Sequence, residues 1–193
     1  MSIPKEYIGY LSAQMATKLA DSGKVKIHDK PAVSGAIQQV ILDDAAKEDR
    51  LNQEVRDYLD KYNEQIRRDG LSYQEMYQLV KKELMKKYKM VPSTGRGKEA
   101  GKLSRDKVIE LSHGLIKALA AIPQQVELTV DKNEVRLQMM QDLQELLRAE
   151  SGIDKSVREK IQSQKREISE GSAEWDILFR KYYSEEMRKL GVT

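Results

Sequence analysis

The sequence predicts an all-α protein of two tandem helical repeats, about four helices each, in a pseudo-two-fold relation. Three observations predict it. Leu, Ile, Val and Met recur throughout at the spacing of amphipathic helices. The two halves of the chain align on each other. Between them lies VPSTGRGKEAGK, residues 91–102, which has no periodic apolar pattern and reads as a linker. Over the first helix the alignment runs at an offset of 100: Ile8 falls on Val108, Leu11 on Leu111, Ser12 on Ser112, Met15 on Leu115 and Leu19 on Leu119. Beyond the next loop the offset is 102. Leu51 then falls on Ile153, Val55 on Val157, Arg56 on Arg158, Leu59 on Ile161, Tyr73 on Trp175, Tyr77 on Phe179 and Met85 on Met187. A two-residue insertion in a loop costs little. The expected organisation is a first copy over 1–90, a basic Gly/Pro/Lys linker over 91–102 and a second copy over 103–193.

The first helix of each copy is expected over roughly 4–21 and 104–121. Pro4 is tolerated in a first turn, where its missing N–H needs no partner. Ser104 is a good N-cap, and Val108, Leu111, Leu115 and Leu119 share one face. A short extended piece follows, VKI at 25–27 and VELTV at 126–130. Its apolar residues alternate as in a strand, and the two pieces can pair as a minor β-ribbon. The second helix is expected over roughly 31–48 and 132–150, with Asp131 and Glu134 as a capping-box-like start. The third is expected after Asn52 and Asp154, N-cap residue types at the same repeat position. The fourth is expected after Ser72 and Ser172, with Ser72 and Glu75 as an S-x-x-E box.

The last helix gathers the only Trp, the only Phe and two of nine Tyr within nine residues. Trp175, Leu178, Phe179 and Tyr182 fall at i, i+3, i+4 and i+7, and Tyr183, Met187 and Leu190 widen the stripe. The first copy carries Tyr73, Met76, Tyr77, Val80 and Leu84 in the same register. A stripe written twice reads as a packing face rather than as two ligand sites, so Trp175 is expected in the core.

Composition narrows the function classes. There is no Cys, which excludes disulfides, thiolate catalysis and thiolate metal sites. Thirty-four Lys and Arg against 31 Asp and Glu give +3, too balanced to announce a nucleic-acid binder. No stretch reaches the roughly 18 apolar residues of a membrane span, and the N-terminus lacks a basic-then-apolar leader. A cytoplasmic protein without membrane association is expected.

In the second half, KLSRDKVIELSHGLIKAL and SVREKIQSQKREISEGSAEWDILFRKYYSEEMRKLG carry a set of distinctive elements. These are a Leu-Ser start, a Leu-Ser-His element, a Val-Arg and Lys-Ile run, and Glu-Gly-Ser-x-Glu-Trp-Asp followed by a Tyr-Tyr helix. They include His113, Arg158, Glu174, Trp175 and Asp176. This stretch resembles the bacterial domain-of-unknown-function family 507, most strongly over residues 102–191. The first half follows the apolar pattern as a diverged copy, with RDGLSYQEM in place of the Glu-Gly-Ser-x-Glu-Trp element. The resemblance implies a bacterial, helical, cytoplasmic protein and no particular activity.

No reacting constellation stands out. The two His, His28 and His113, have no partner at metal-ligand spacing. Ser112 and His113 are helix neighbours whose side chains diverge by about 100°, which argues against a nucleophile pair. GRGKEAGKLS at 95–104 misses the spacing of a phosphate loop. The strongest cue is charge. Residues 81–102 hold eight basic side chains, Lys81, Lys82, Lys86, Lys87, Lys89, Arg96, Lys98 and Lys102, against two acidic ones. Such a segment suits an anionic partner, or complements a helix C-terminus and solvates a linker. The reading is a non-catalytic interaction or scaffold protein with no cofactor and no metal, binding a protein partner through surfaces that include His113, Arg158, Glu174, Trp175 and Asp176. It is expected to act as a monomer with an internal pseudo-dimer. The alternative is an RNA-binding protein using residues 81–102.

Overall fold

A computed structural model describes residues 3–93, 103–164, 168 and 172–191. The chain is helical, with one two-stranded antiparallel ribbon. The first helix, α1 (Lys5–Asp21), buries Tyr7, Ile8, Leu11, Met15 and Leu19 along one stripe. Gly23, at φ +68°, turns the chain out of it in the left-handed conformation that glycine adopts without penalty. Strand β1 (Val25–Ile27) follows and pairs with β2 (Val126–Leu128) in the register Val25–Leu128, Lys26–Glu127 and Ile27–Val126.

Helix α2 (Lys30–Lys61) is capped by Asp29, whose carboxylate accepts the Ala32 N–H at 2.9 Å. It runs for 32 residues, and its counterpart α6 (Lys132–Gln162) runs for 31. The expected breaks at Asn52 and Asp154 are absent, and both residues lie mid-helix. The physical reason is that an N-cap residue type ends nothing without a breaker beside it. Leu51, Val55 and Leu59 carry the buried stripe straight through the first site. At the second, Gly152 alone costs about 1 kcal/mol, less than packing supplies. Asn52 and Asp154 spend their side chains laterally, on Tyr77 and Arg158.

The short α3 (Asn63–Arg68) precedes α4 (Tyr73–Lys87), and the second half continues as α5 (Arg105–Ala120), β2, α6 and α7 (Ala173–Lys189). The Ser caps fall where the sequence places them. Ser72, Ser104 and Ser172 accept N–H groups of Glu75, Lys107 and Trp175 at 3.4, 3.1 and 3.2 Å.

One hydrophobic cluster draws on α1, β1, α2, α5, β2, α6 and α7 together. Helix α1 packs on α2 and on α6, and α5 packs on α6 and on α2. The contacts between halves are close and specific. Tyr7 donates its hydroxyl to the Leu146 carbonyl at 2.7 Å. Lys107, almost fully buried, reaches Asp44 at 2.5 Å and Glu110 at 2.8 Å. Gly114 brings α5 so near α2 that a Cβ there would lie 3.1 Å from Val40 Cγ1. A second, smaller cluster of Val55, Leu59 and Ile66 is covered by Met76, Tyr77, Val80 and Leu84, and α4 buries no residue completely.

Two substitutions separate these layers. Leu115→Ala, at a fully buried site, is expected to cost about 2–5 kcal/mol in urea denaturation. Leu84→Ala, at a half-buried site, is expected to cost less than half as much. Equal costs would contradict the division into a shared core and a lighter arm.

Candidate functional site

Two groups of sequence-predicted residues can be followed into the structure. The first is the basic segment. Lys81, Lys82, Lys86 and Lys89 converge on one cleft of about 610 Å³, with Met85 among its apolar lining and Ser93 on its far wall. Helical spacing brings the first three together on α4. Lys89 joins them because the chain turns at its left-handed φ of 52°, closed by a bond from Met90 N–H to the Met85 carbonyl at 2.9 Å. The wall is held by Ser104, which donates its hydroxyl to the Pro92 carbonyl and its N–H to the Ser93 carbonyl, both at 2.6 Å.

Not all of this charge is available. Lys81 sits 3.4 Å from Glu48, which also accepts the Ser93 hydroxyl at 2.8 Å. Burial pushes the Glu48 carboxyl up, but the Ser93 hydrogen bond and the Lys81 charge outweigh it, so its pKa lies below the usual value. Lys86 pairs with Glu83 at 2.7 Å on an exposed turn, and Lys87 lies over the Tyr88 ring at 5.2 Å, outside the cleft lining. Arg96, Lys98 and Lys102 lie outside the described residues.

The second group centres on α7. Trp175, Phe179 and Tyr183 stack in succession, with ring centroids 4.8 and 5.7 Å apart. The Arg158 guanidinium covers the first two rings at 5.2 and 5.6 Å, and Asp154 orients it through a 2.7 Å bond. Tyr183 donates to the fully buried Glu150 at 2.9 Å. Burial first, then the Glu150 charge and hydrogen bond, push the Tyr183 hydroxyl well above its usual pKa, so it stays a donor.

The core expectation for this stripe therefore divides. Tyr183 and Met187 are buried, whereas Trp175, Phe179 and Tyr182 are only half-buried and lean on the core. Trp175 stands in the first turn of α7, where Arg158 caps its ring. In the first half Tyr73 is 40% exposed.

Phe179, Tyr183 and Met187 line a groove of about 490 Å³ with Pro4, Arg180 and Arg188, between α7 and the start of α1. Arg158 and Trp175 thus meet. Glu174 and Asp176 lie exposed on the same first turn, where acidic side chains suit the positive helix end. His113 is exposed on α5 and lines neither cavity. Its neighbour Ser112 is buried, donating to the Ile109 carbonyl at 2.7 Å and accepting from Arg136 at 3.2 Å. Among the described residues no group of three or more His, Asp or Glu is placed to hold a metal, and no helix is long and apolar enough to cross a membrane.

The model of the family described as "Protein of unknown function (DUF507)" matches residues 1–192. The chain belongs to this family. The match takes in both halves of the sequence and is not confined to the second. No curated protein matches the chain. Within this DUF507 protein, the sequence reading missed Glu48, Ser93 and Glu150. A lone glutamate in a charged helix gives no sign of burial. The one available signal was that Glu48 and Glu150 share an offset of 102, as do their partners Lys81 and Tyr183.

Because Trp175 is only half-buried, Trp175→Ala is expected to cost about 1–2 kcal/mol rather than the 3–5 kcal/mol typical of a buried aromatic. Urea denaturation followed by circular dichroism measures it, and a loss at the upper figure would contradict the half-buried placement.

Proposed function

We propose that this DUF507 protein is a non-catalytic interaction protein, with a rigid internal pseudo-dimer as its body and a protein as its partner. It acts as a monomer in the cytoplasm, without cofactor or membrane attachment. The pseudo-two-fold reading is supported by contacts that exchange under the sequence offsets. The ribbon is centred on Lys26 and Glu127, with His28 N–H to Gln125 O on one side and Thr129 N–H to Lys24 O on the other. Tyr7 with Leu146 and Lys107 with Asp44 occupy corresponding positions.

The observation that carries the proposal is that the two cavities also correspond. Met85 and Met187 line them, Lys81 matches Tyr183, Lys82 matches Ser184 and Lys86 matches Arg188. Each is completed by the lead-in to the first helix of the other half, Pro92 and Ser93 in one case and Pro4 in the other. Two cavities of the same placement and different chemistry suit recognition, and the described residues of neither arrange a nucleophile, a base and an orienting group.

A second reading, RNA binding, is favoured by the convergence of Lys81, Lys82, Lys86 and Lys89 on one cleft. Native purification of the tagged protein from its own cells, with and without nuclease, decides between them. The first reading expects a discrete protein that survives nuclease. Recovery of nucleic acid alone, with a steep salt dependence and loss on Lys82→Glu/Lys86→Glu, would replace it with the second.

A further inference from the structure

The groove between α7 and the start of α1 has a composition that specifies an occupant. Its floor is apolar and stiff. Phe179 is stacked between Trp175 and Tyr183, and the Tyr183 hydroxyl is fixed on buried Glu150. Met187, buried against the core, completes the floor beside them. A floor that is already ordered loses little entropy when covered.

The rim is cationic. Arg180 and Arg188 lie on the groove eight residues apart on one helix, about 12 Å along its axis. Arg180 donates to the Asp176 backbone carbonyl at 3.3 Å and not to a carboxylate. Neither arginine forms an ion pair with a described residue. Their neighbour Lys189, by contrast, is neutralised by Glu186 at 2.6 Å. Glu6 is the one anion among the described residues of the groove and leaves the two arginines in excess.

An apolar floor between two unneutralised arginines is complementary to an amphipathic acidic peptide. We propose that this groove docks such a segment of a partner protein. The peptide's apolar side chains seat on Phe179, Tyr183 and Met187, and its Asp or Glu residues face Arg180 and Arg188. The assignment rests on the interaction-protein reading and names the partner's chemistry.

A random-peptide phage library panned against the full chain tests it. The expected result is enrichment of peptides that place aromatic or aliphatic residues among acidic ones. Their synthetic, fluorescein-labelled forms should bind about tenfold more weakly to Arg180→Glu/Arg188→Glu, as the reversal of two rim charges requires. They should bind unchanged to Lys82→Glu/Lys86→Glu. Both variants alter exposed side chains, and an unchanged melting temperature verifies that they fold. No enrichment, enrichment of basic or uncharged peptides, or binding that fails on the lysine variant and survives on the arginine variant would overturn the assignment. If that happens while a nuclease-resistant protein is still recovered from cells, the groove assignment falls and the interaction reading stands.

Discussion

Everything in this structure depends on the burial of α1 and α5 against the two long helices, α2 and α6. Each of the two is covered by one helix of its own half and one of the other. Helix α1 lies against α2 and also against α6, and α5 lies against α6 and also against α2. The result is one core drawn from both halves. Polar groups fix how the halves meet. A tyrosine hydroxyl on a backbone carbonyl at one crossing and a lysine between two carboxylates at the other are directional contacts, and a slipped packing would leave them buried and unpaired. The ribbon adds a third constraint, since its register allows one alignment of the chain segments leading into α2 and α6.

The grooves follow from this arrangement. A helix that crosses into the other half carries its N-terminal lead with it. Pro4 and Pro92–Ser93 therefore end up beside the last helix of the opposite half, and each makes a wall there. Beneath both lies a glutamate of a long helix. Glu48 is satisfied by Lys81 and Ser93, and Glu150 is contacted by Tyr183. The same framework thus supports a lysine cleft on one side and an aromatic groove with arginines on the other. The chemistry of the chain lies in that difference.

Most of the fold was legible because helix signals are local. The apolar stripes of α1 and α5 and the Ser caps rest on residues spaced one turn apart, and each strand on the alternation of three neighbouring residues. The continuous helices α2 and α6 were not legible. Asn52 and Asp154 have cap chemistry, and their mid-helix use shows only in their partners, Tyr77 on α4 for Asn52 and Arg158 one turn along α6 for Asp154. Burial was the other gap. Amphipathic spacing places Trp175 on the inward face but cannot say that the helix start overhangs the core. Of the candidate residues, Lys81, Lys82, Lys86 and Lys89 share a cleft, Lys87 lies outside it, and Arg158 meets Trp175. His113 stands apart from both, because sharing a sequence motif fixes no common surface.

The central claim is that one core holds both halves. Hydrogen exchange of the intact chain as a function of urea tests it directly. Amides beside Leu11 in α1, Ile37 in α2, Leu115 in α5 and Met139 in α6 all belong to that core. They should exchange through one global opening, with a common free energy and a common urea slope, while α4 opens at lower free energy. Two separate sets of values, one for residues before 93 and one for residues after 103, would contradict the account and make the halves independent units.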